Sequence, residues 1–349
     1  MTDPLVSVVT PFRNTAPYLA ECIESVLAQS HANFEYILSD NGSTDGSLEI
    51  AESFARRDPR IRLIRQPQLL SQVQHYNRAL ADISDSSRYC KMVQADDFIF
   101  SDCLRLMVQA FGQSETIGIV SSYDLKDNVV RGSGYPYPAP MLSGREVARL
   151  NLRSGIFPFG SPTTVMYRSS LVRSQDPFFD ESRLHDDTEK CFQILQKWDF
   201  GFVHQVLSFM RVDNRNDSIS DGVRAFGPDV LDRYIVVQRY GSVFLDAPEA
   251  NALRKESRLM YYEFLSKEYL RRHGSAFWRY HANGLKTLDE TIDRPYLTLQ
   301  VLRRLASMVA NPGSTVALGI RMCKKRMSRK RTKPAERSLQ AVRIENPGI

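Results

Sequence analysis

Cysteine is scarce and unpatterned in this 349-residue chain. Cys22, Cys90, Cys103, Cys191 and Cys323 are scattered, odd in number and form no C-x-x-C pair. That argues against a disulfide framework or a zinc site and leaves buried, inert thiols as the expectation. Long apolar runs are also missing. Nothing approaches the roughly 18 consecutive apolar residues that a membrane-spanning helix needs. The opening "MTDPLVSVVTPF" has no basic stretch followed by a long apolar core and a small-residue cleavage site. No signal peptide is expected there, and the chain reads as cytoplasmic. Glycine-rich loops are absent near the first apolar run. "VVTPFRNTAPYL" carries neither the G-x-G-x-x-G of a dinucleotide oxidoreductase nor the phosphate loop of a sugar-phosphate nucleotidyltransferase. The six histidines, His31, His75, His185, His204, His273 and His281, show no metal-ligand spacing. His185 reads as an exposed loop residue beside an acid pair.

Charge is present but uneven. The net charge is +6, yet residues 321–337, "RMCKKRMSRKRTKPAER", carry nine Lys/Arg and one Glu. The remainder is therefore mildly acidic, at −2. Such a basic run suits a polyanion, either lipid headgroups or nucleic acid. Apolar residues at Ala317, Leu318, Ile320, Met322 and Met327 interleave with the bases, as in an interfacial helix; a solvated, partly disordered tail is the competing reading.

The first hundred residues alternate between two hydrophobic periods. "LVSVVTPF", "FEYILSD", "IRLIRQ" and "YCKMVQ" are short β-branched or apolar runs with the character of buried strands. Between them, "APYLAECIESVLAQS", "DGSLEIAESFARR" and "SQVQHYNRALADI" repeat at helical spacing. Asp45 or Ser43 is the expected N-cap of the second helix. Strand–helix alternation means a parallel sheet with right-handed crossovers, whose ligands bind beyond the carboxyl ends of the strands. Three strands end in polar pairs, Arg13-Asn14, Asp40-Asn41 and Asp96-Asp97. In a parallel sheet all three share one edge.

From 100 to 225 the pattern loosens. "IGIVSSYDL", "TTVMYR" and "GFVHQVLSFMRV" read as strands, and "SGREVARLNL" as a helix opened by a Ser143–Glu146 capping box. "HDDTEKCFQILQKW" places acids at a helix start, where carboxylates complement the dipole. "DNRNDSISDG" is turn-like. Beyond 226 four helical segments follow: "DVLDRYIVVQRYGSVF", "EANALRKESRLMYYEFLSKEYLRRH", "FWRYHANGLKTL" and "YLTLQVLRRLASMVA".

Taken alone, "ILSDNGSTDGS" is ordinary turn chemistry, and an Asp-Asp pair occurs by chance in many proteins. An unpaired Asp40 on a strand-end edge could nevertheless accept a hydrogen bond from a ligand N–H, such as a uracil imide. Adjacent carboxylates suit a hard cation, Mg²⁺ or Mn²⁺, which takes the rest of its shell from water and phosphate.

"VSVVTPFRN", "ILSDNGSTDGS", "YNRAL", "MVQADDFIF" and "FDESRLHDDTEKCFQIL" together resemble the ordered motifs of family-2 inverting glycosyltransferases, over about residues 4–220. The resemblance implies a GT-A nucleotide-diphospho-sugar transferase fold, an α/β fold with a Rossmann-like, mixed but mainly parallel sheet. By the same resemblance Pro11, Phe12 and Asn14 line the nucleotide pocket, Asp40 contacts the base, and Asn77 is the motif asparagine. Asp96 and Asp97 match the DXD-like cluster that holds ribose and a divalent metal, Mg²⁺ or Mn²⁺. Asp187 matches the catalytic base, with Asp186 in place of the usual Glu. Gln94 and Asn41 stand where relatives often have Asp. In "MRVDNRNDSIS", Arg211 keeps a motif arginine. Asp213 stands where relatives carry a metal-reaching His; it is either a turn residue or an oxygen ligand to the metal.

The expected organisation is a GT-A domain over 1–225, with a nucleotide-binding half over about 1–100 and an acceptor-side half over 101–225. A helical extension over 226–312 and a basic tail over 313–349 follow. Expected partners are a nucleotide-sugar donor, most simply a UDP-sugar, and a glycan or lipid-linked acceptor chosen by residues 130–180. An anionic membrane is a further expected partner of the tail, with the chain peripheral on the cytoplasmic face. The competing readings are a sugar-phosphate nucleotidyltransferase, against which the missing loop argues, and a basic-tailed nucleic-acid-binding protein. The latter leaves five ordered motifs unexplained.

Overall fold

A computed structural model describes residues 3–126, 128–181, 187–211 and 226–310. Among them lies one ten-stranded sheet in the order β3-β2-β1-β4-β9-β6-β10-β5, with β7 on β6 and β8 on β10. The strands are β1 (Val6–Phe12), β2 (Phe34–Asp40), β3 (Ile61–Arg65), β4 (Tyr89–Met92), β5 (Phe98–Ile99), β6 (Ile117–Lys126), β7 (Val129–Arg131), β8 (Met141–Leu142), β9 (Met166–Arg168) and β10 (Asp199–Met210). Strands β1 to β4 pair in parallel, and β6 pairs in parallel with β10. The short β9 is antiparallel to both β4 and β6, so it joins the two parallel halves without reversing their common direction. The mixed, mainly parallel sheet is the one expected from the strand–helix alternation.

Strand β1 is buried at all seven positions, because interior parallel strands have helices over both faces. Full burial of each of its valines stabilises the fold by about 1.5–3 kcal/mol. Two apolar layers flank the sheet. Leu19, Cys22, Ile23 and Val26 of α1 (Ala16–Leu27) and Leu104, Met107 and Phe111 of α4 (Cys103–Phe111) pack on one side. Residues of α3 (Gln72–Ala81), α5 (Gly144–Ser154) and α7 (Asp187–Leu195) pack on the other. The four described cysteines, Cys22, Cys90, Cys103 and Cys191, are free and buried, as expected.

The capping box on α5 forms as its sequence spacing required: Ser143 Oγ accepts from the Glu146 N–H, and Glu146 Oε2 accepts from the Ser143 N–H. Helix α2 (Ser47–Ala55) departs from expectation. Its N-cap is Gly46, at φ 94°, rather than Asp45 or Ser43. Asp45 sits one residue earlier and accepts from the Ser47 N–H and hydroxyl instead. The short α6 (Ser169–Arg173) follows β9.

The remaining helices are α8 (Pro228–Phe244), α9 (Ala247–Leu270), α10 (Ser275–Lys286) and α11 (Arg294–Ala310). The chain falls into two compact units. Residues up to Tyr261, with His273–Ile292, make the first; Tyr262–Arg272 and the chain from Asp293 make the second. Helix α8 lies within the first unit, where Arg239 pairs with the buried Glu189 of α7. Its buried face includes Leu231, Ile235, Val236 and Val237.

Candidate active site

The parallel strands deliver three polar ends to one edge of the sheet. Phe12 and Asp40 are register partners at the ends of β1 and β2. The segments after them are laced together. Asn14, itself at φ 52°, donates its N–H to Ser43 Oγ at 3.1 Å and accepts from the Thr44 N–H at 2.8 Å. The Thr15 N–H donates to Ser47 Oγ, and the Ala16 N–H to Asp45 Oδ2. Burial works to raise the Asp45 carboxyl, but the donors from Ser47 and Ala16 outweigh it and hold it below the usual carboxylate range. Turn chemistry is real here, and it builds one wall of a cleft.

Asp40 is buried, and Oδ1 accepts from the Ser43 N–H at 3.0 Å. Asn41 is spent on scaffolding: it exchanges two hydrogen bonds with the Leu70 backbone. Pro11 and Phe12 are buried, so they floor the edge rather than stand open on it. Asn77 is likewise engaged inside the protein. Its Oδ1 accepts from the Phe179 N–H at 2.7 Å, and its Nδ2 donates to the Phe179 carbonyl at 2.8 Å. Both amide atoms thus hold the segment that leads toward α7.

The two acids of "QADDFIF" diverge. Asp97 is 3% exposed and faces inward. Its Oδ2 accepts from Thr163 Oγ1 at 2.6 Å, and its Oδ1 from the Arg211 N–H at 3.0 Å. Burial first, and then the neighbouring Asp96, push the Asp97 carboxyl up to about 7. Asp96 is half-buried on the outer side of the turn. Arg211 locks the pair in place: Nε donates to the Asp96 carbonyl at 2.9 Å, Nη2 pairs with Glu21, and the guanidinium lies 4.8 Å from the Tyr18 ring centre.

Asp187 opens α7 and lines a small crevice with Phe159, Gly160, Ser161, Tyr167 and Cys191. Two turns of chemistry fix that helix start. The helix dipole favours an acid there. The next acid, Glu189, is 1% exposed and is held by Arg239 and, at 3.2 Å, by the Tyr240 hydroxyl. Asp187 and Asp96 come from distant parts of the chain, yet both act on Tyr76. Burial first, and then the fields of Asp96 and Asp187, push the Tyr76 phenol up to about 12, against hydrogen bonds from Gln72 and Gln94. Those amides donate to its oxygen at 2.7 and 3.1 Å.

The sequence reading missed three residues of this site. Tyr76 lies within "YNRAL", beside Asn77, and its i, i+4 spacing from Gln72 is the sequence signal for it. Thr163 opens "TTVMYR", whose pattern reads as a strand, but it lies in the loop before β9, and a β-branched Thr in such a pattern gives no polar cue. Lys91 is fully buried in β4 and donates to the Thr163 carbonyl at 2.6 Å; burial pulls its ammonium down. Gly160 precedes this loop at φ 67°, where a Cβ would collide with Thr164. His185, Asp186, Asp213 and the basic tail lie outside the described residues.

Mg²⁺ commonly takes only one or two carboxylates and completes its shell with water and phosphate. Asp96, half-buried at a strand end, fits that demand. Asp97 accepts one hydrogen bond on each carboxylate oxygen, from Thr163 and from the Arg211 N–H. Among the described residues no group of three or more His, Cys, Asp or Glu gathers to hold a metal without such outside ligands.

Residues 7–174 match the family model for glycosyl transferase family 2. The chain is 29% identical over 191 residues to the glycosyltransferase GlyG of Streptococcus pneumoniae serotype 4, covering 52% of this chain and 62% of that protein. It therefore spans less than two thirds of that relative. In fold it is similar to S. aureus TarS 1-349 in complex with UDP-GlcNAc, at a TM-score of 0.57 and 16% identity, covering 80% of this chain and 79% of that one. It is also similar to the mannosyltransferase PcManGT from Pyrobaculum calidifontis in complex with GDP-Man and Mn²⁺, at a TM-score of 0.55 and 17% identity, covering 90% and 88%. The fold is GT-A, and residues 7–174 match glycosyltransferase family 2.

Proposed function

We propose, from that match, that the chain is a metal-dependent inverting glycosyltransferase. It moves a sugar from a nucleotide-diphosphate donor, most simply a UDP-sugar, to a hydroxyl of a glycan or lipid-linked acceptor in cell-surface polysaccharide synthesis. The observation that carries this reading is the match of residues 7–174 to glycosyl transferase family 2, on a parallel sheet whose one edge receives Asp40 at the end of β2 and Asp96 after β4. The sugar nucleotides held by TarS and PcManGT support a donor of this class.

Each residue has a task in this reading. Asp40 accepts a hydrogen bond from the nucleobase, while the laced 13–16 and 41–47 segments hold the cleft wall in place. Asp96 would hold Mg²⁺ or Mn²⁺, with Asp213 as a further oxygen ligand. When bound, the ion offsets the charge that the diphosphate gains as it leaves. Asp97 keeps Asp96 in position through Thr163 and Arg211, and Asn77 positions the approach to α7. Asp187 takes the proton of the acceptor hydroxyl as it attacks the anomeric carbon. One direct displacement inverts that centre, so a single base suffices and the paired acids of hydrolases are not needed.

In the proposed layout residues 1–225 carry the chemistry, 226–312 the helical extension and 313–349 the basic tail. Among the described residues no helix is long and apolar enough to cross a membrane. The tail would instead place the enzyme peripherally on the cytoplasmic face of an anionic membrane. The test is a panel of nucleotide sugars with Mn²⁺, read by donor hydrolysis and by thermal shift. One donor should be turned over and should stabilise the protein. Absence of both effects across UDP-, GDP- and dTDP-sugars would remove the reading.

A further inference from the structure

We infer that the outward face of α11 is a lipid-contacting surface. The inference rests on the membrane placement proposed above and extends it from the tail to a folded element.

The observation is an inverted helix. Residues Arg294–Ala310 bury Leu297 and Gln300, but Leu299, Leu302, Leu305 and Val309 stand exposed, at 42, 57, 42 and 81%. At 3.6 residues per turn, these four fall on an arc of about 120°. Pro295, Ala306 and Ala310, also exposed, fall on or beside the same arc, and Thr298 is its one polar member. Single exposed leucines are ordinary; three leucines and a valine on one stripe of one helix mark a contact surface.

Charge selects the partner. The helix has three arginines and no acid. Arg294 and Arg303 lie at opposite rims of the apolar arc by the same helical geometry. The sequence then adds nine Lys/Arg and one Glu over 321–337. An apolar face with basic rims and a following basic run is the pattern of a helix lying in the plane of an anionic interface. Its apolar side chains enter the acyl boundary while its arginines reach back to the headgroups. A protein partner of this face would need acids to meet the arginines, and a second copy of the helix offers none.

The test uses the full chain and vesicles of phosphatidylcholine and phosphatidylglycerol at about 7:3. Wild-type protein should float with them and should bind pure phosphatidylcholine weakly. Leu302→Gln with Leu305→Gln keeps helix propensity and an unchanged thermal midpoint, and should lower partitioning about tenfold or more. Lys324, Lys325, Arg326 and Arg329, all changed to Gln, should also lower it and flatten its salt dependence. A second probe is Leu302→Trp, whose fluorescence should shift to the blue when vesicles are added, relative to wild type. Equal flotation of the Leu302→Gln/Leu305→Gln protein, or no Trp shift, overturns the helix face and leaves the tail as the sole contact. Failure of wild-type protein to bind vesicles overturns both. Dimerisation that the double substitution abolishes assigns the face to a second copy and overturns the lipid reading. Transfer activity is read separately: vesicle binding without transfer upholds this surface and counts against the sugar chemistry alone.

Discussion

Thr163 Oγ1 donates to Asp97 Oδ2 at 2.6 Å and accepts the Gln94 N–H at 3.1 Å. One hydroxyl thus binds the 160–164 loop to the end of β4, beneath the carboxylate proposed to hold the cation. Replacing Thr163 with Val keeps the shape and removes both bonds. A buried group left without its partner costs about 1–3 kcal/mol. Urea unfolding should show that loss, and it should be larger at about pH 8 than at about pH 6, because the missing donor matters most to an ionised Asp97. A Thr163→Val protein as stable as wild type at both values would show that the contact has no energetic weight.

The two acids of the pair should separate on mutation. Asp96→Ala should weaken Mn²⁺-dependent nucleotide binding and leave the thermal midpoint nearly unchanged. Asp97→Ala should lower the midpoint, because Thr163 and the Arg211 N–H lose their acceptor. Chelation should abolish transfer and Mn²⁺ should restore it. Calorimetric titration of nucleotide with and without metal distinguishes the two roles; equal effects of both variants on binding and stability would merge them again.

Asp187→Asn keeps the size of the side chain and removes its basicity. Transfer should fall by about 10²–10⁴-fold while donor binding persists. Near wild-type turnover in the folded variant would falsify its assignment as the base.

Acid should weaken the fold through its buried histidines. His281 is fully buried, with Nε2 at 2.9 Å from the Phe226 carbonyl and Nδ1 at 2.9 Å from the Tyr261 hydroxyl. Burial pulls its pKa down to about 4, and that of His75 down to about 4 as well. The folded state therefore binds fewer protons than the unfolded chain between pH of about 6.5 and 4. The stabilisation is complete above that window and is lost as pH falls through it, by about 2 kcal/mol per histidine at about pH 5. Asp97 acts in the opposite sense, since its raised carboxyl favours the folded state on acidification. Comparing wild type with His281→Gln isolates one term: the stability gap should narrow from about pH 7 to pH 5. A constant gap would mean that His281 titrates alike in both states.

Much of this molecule was legible in one dimension because its signals are local. The apolar runs of β1, β2 and β4 and the 3.6-residue spacing of α1 are set by neighbours a few residues away, as is the Ser143–Glu146 box. The common edge of Asp40 and Asp96 followed from parallel alternation, since parallel strands end on the same side. The roles within that edge were not legible. Asp96 and Asp97 are chemically identical neighbours, and only the arrival of Thr163 and Arg211 from distant parts of the chain separates the inward acid from the outward one. The Asn77 amide engages the Phe179 backbone, about a hundred positions away, a partner that no local pattern announces. The N-cap of α2 moved to Gly46 because Asp45 also had to reach the Ala16 N–H on another helix. Sequence spacing determined which groups reach the edge; long-range hydrogen bonding and burial decided which of them remain open to a ligand, because a buried polar atom must be satisfied by whatever the fold brings beside it.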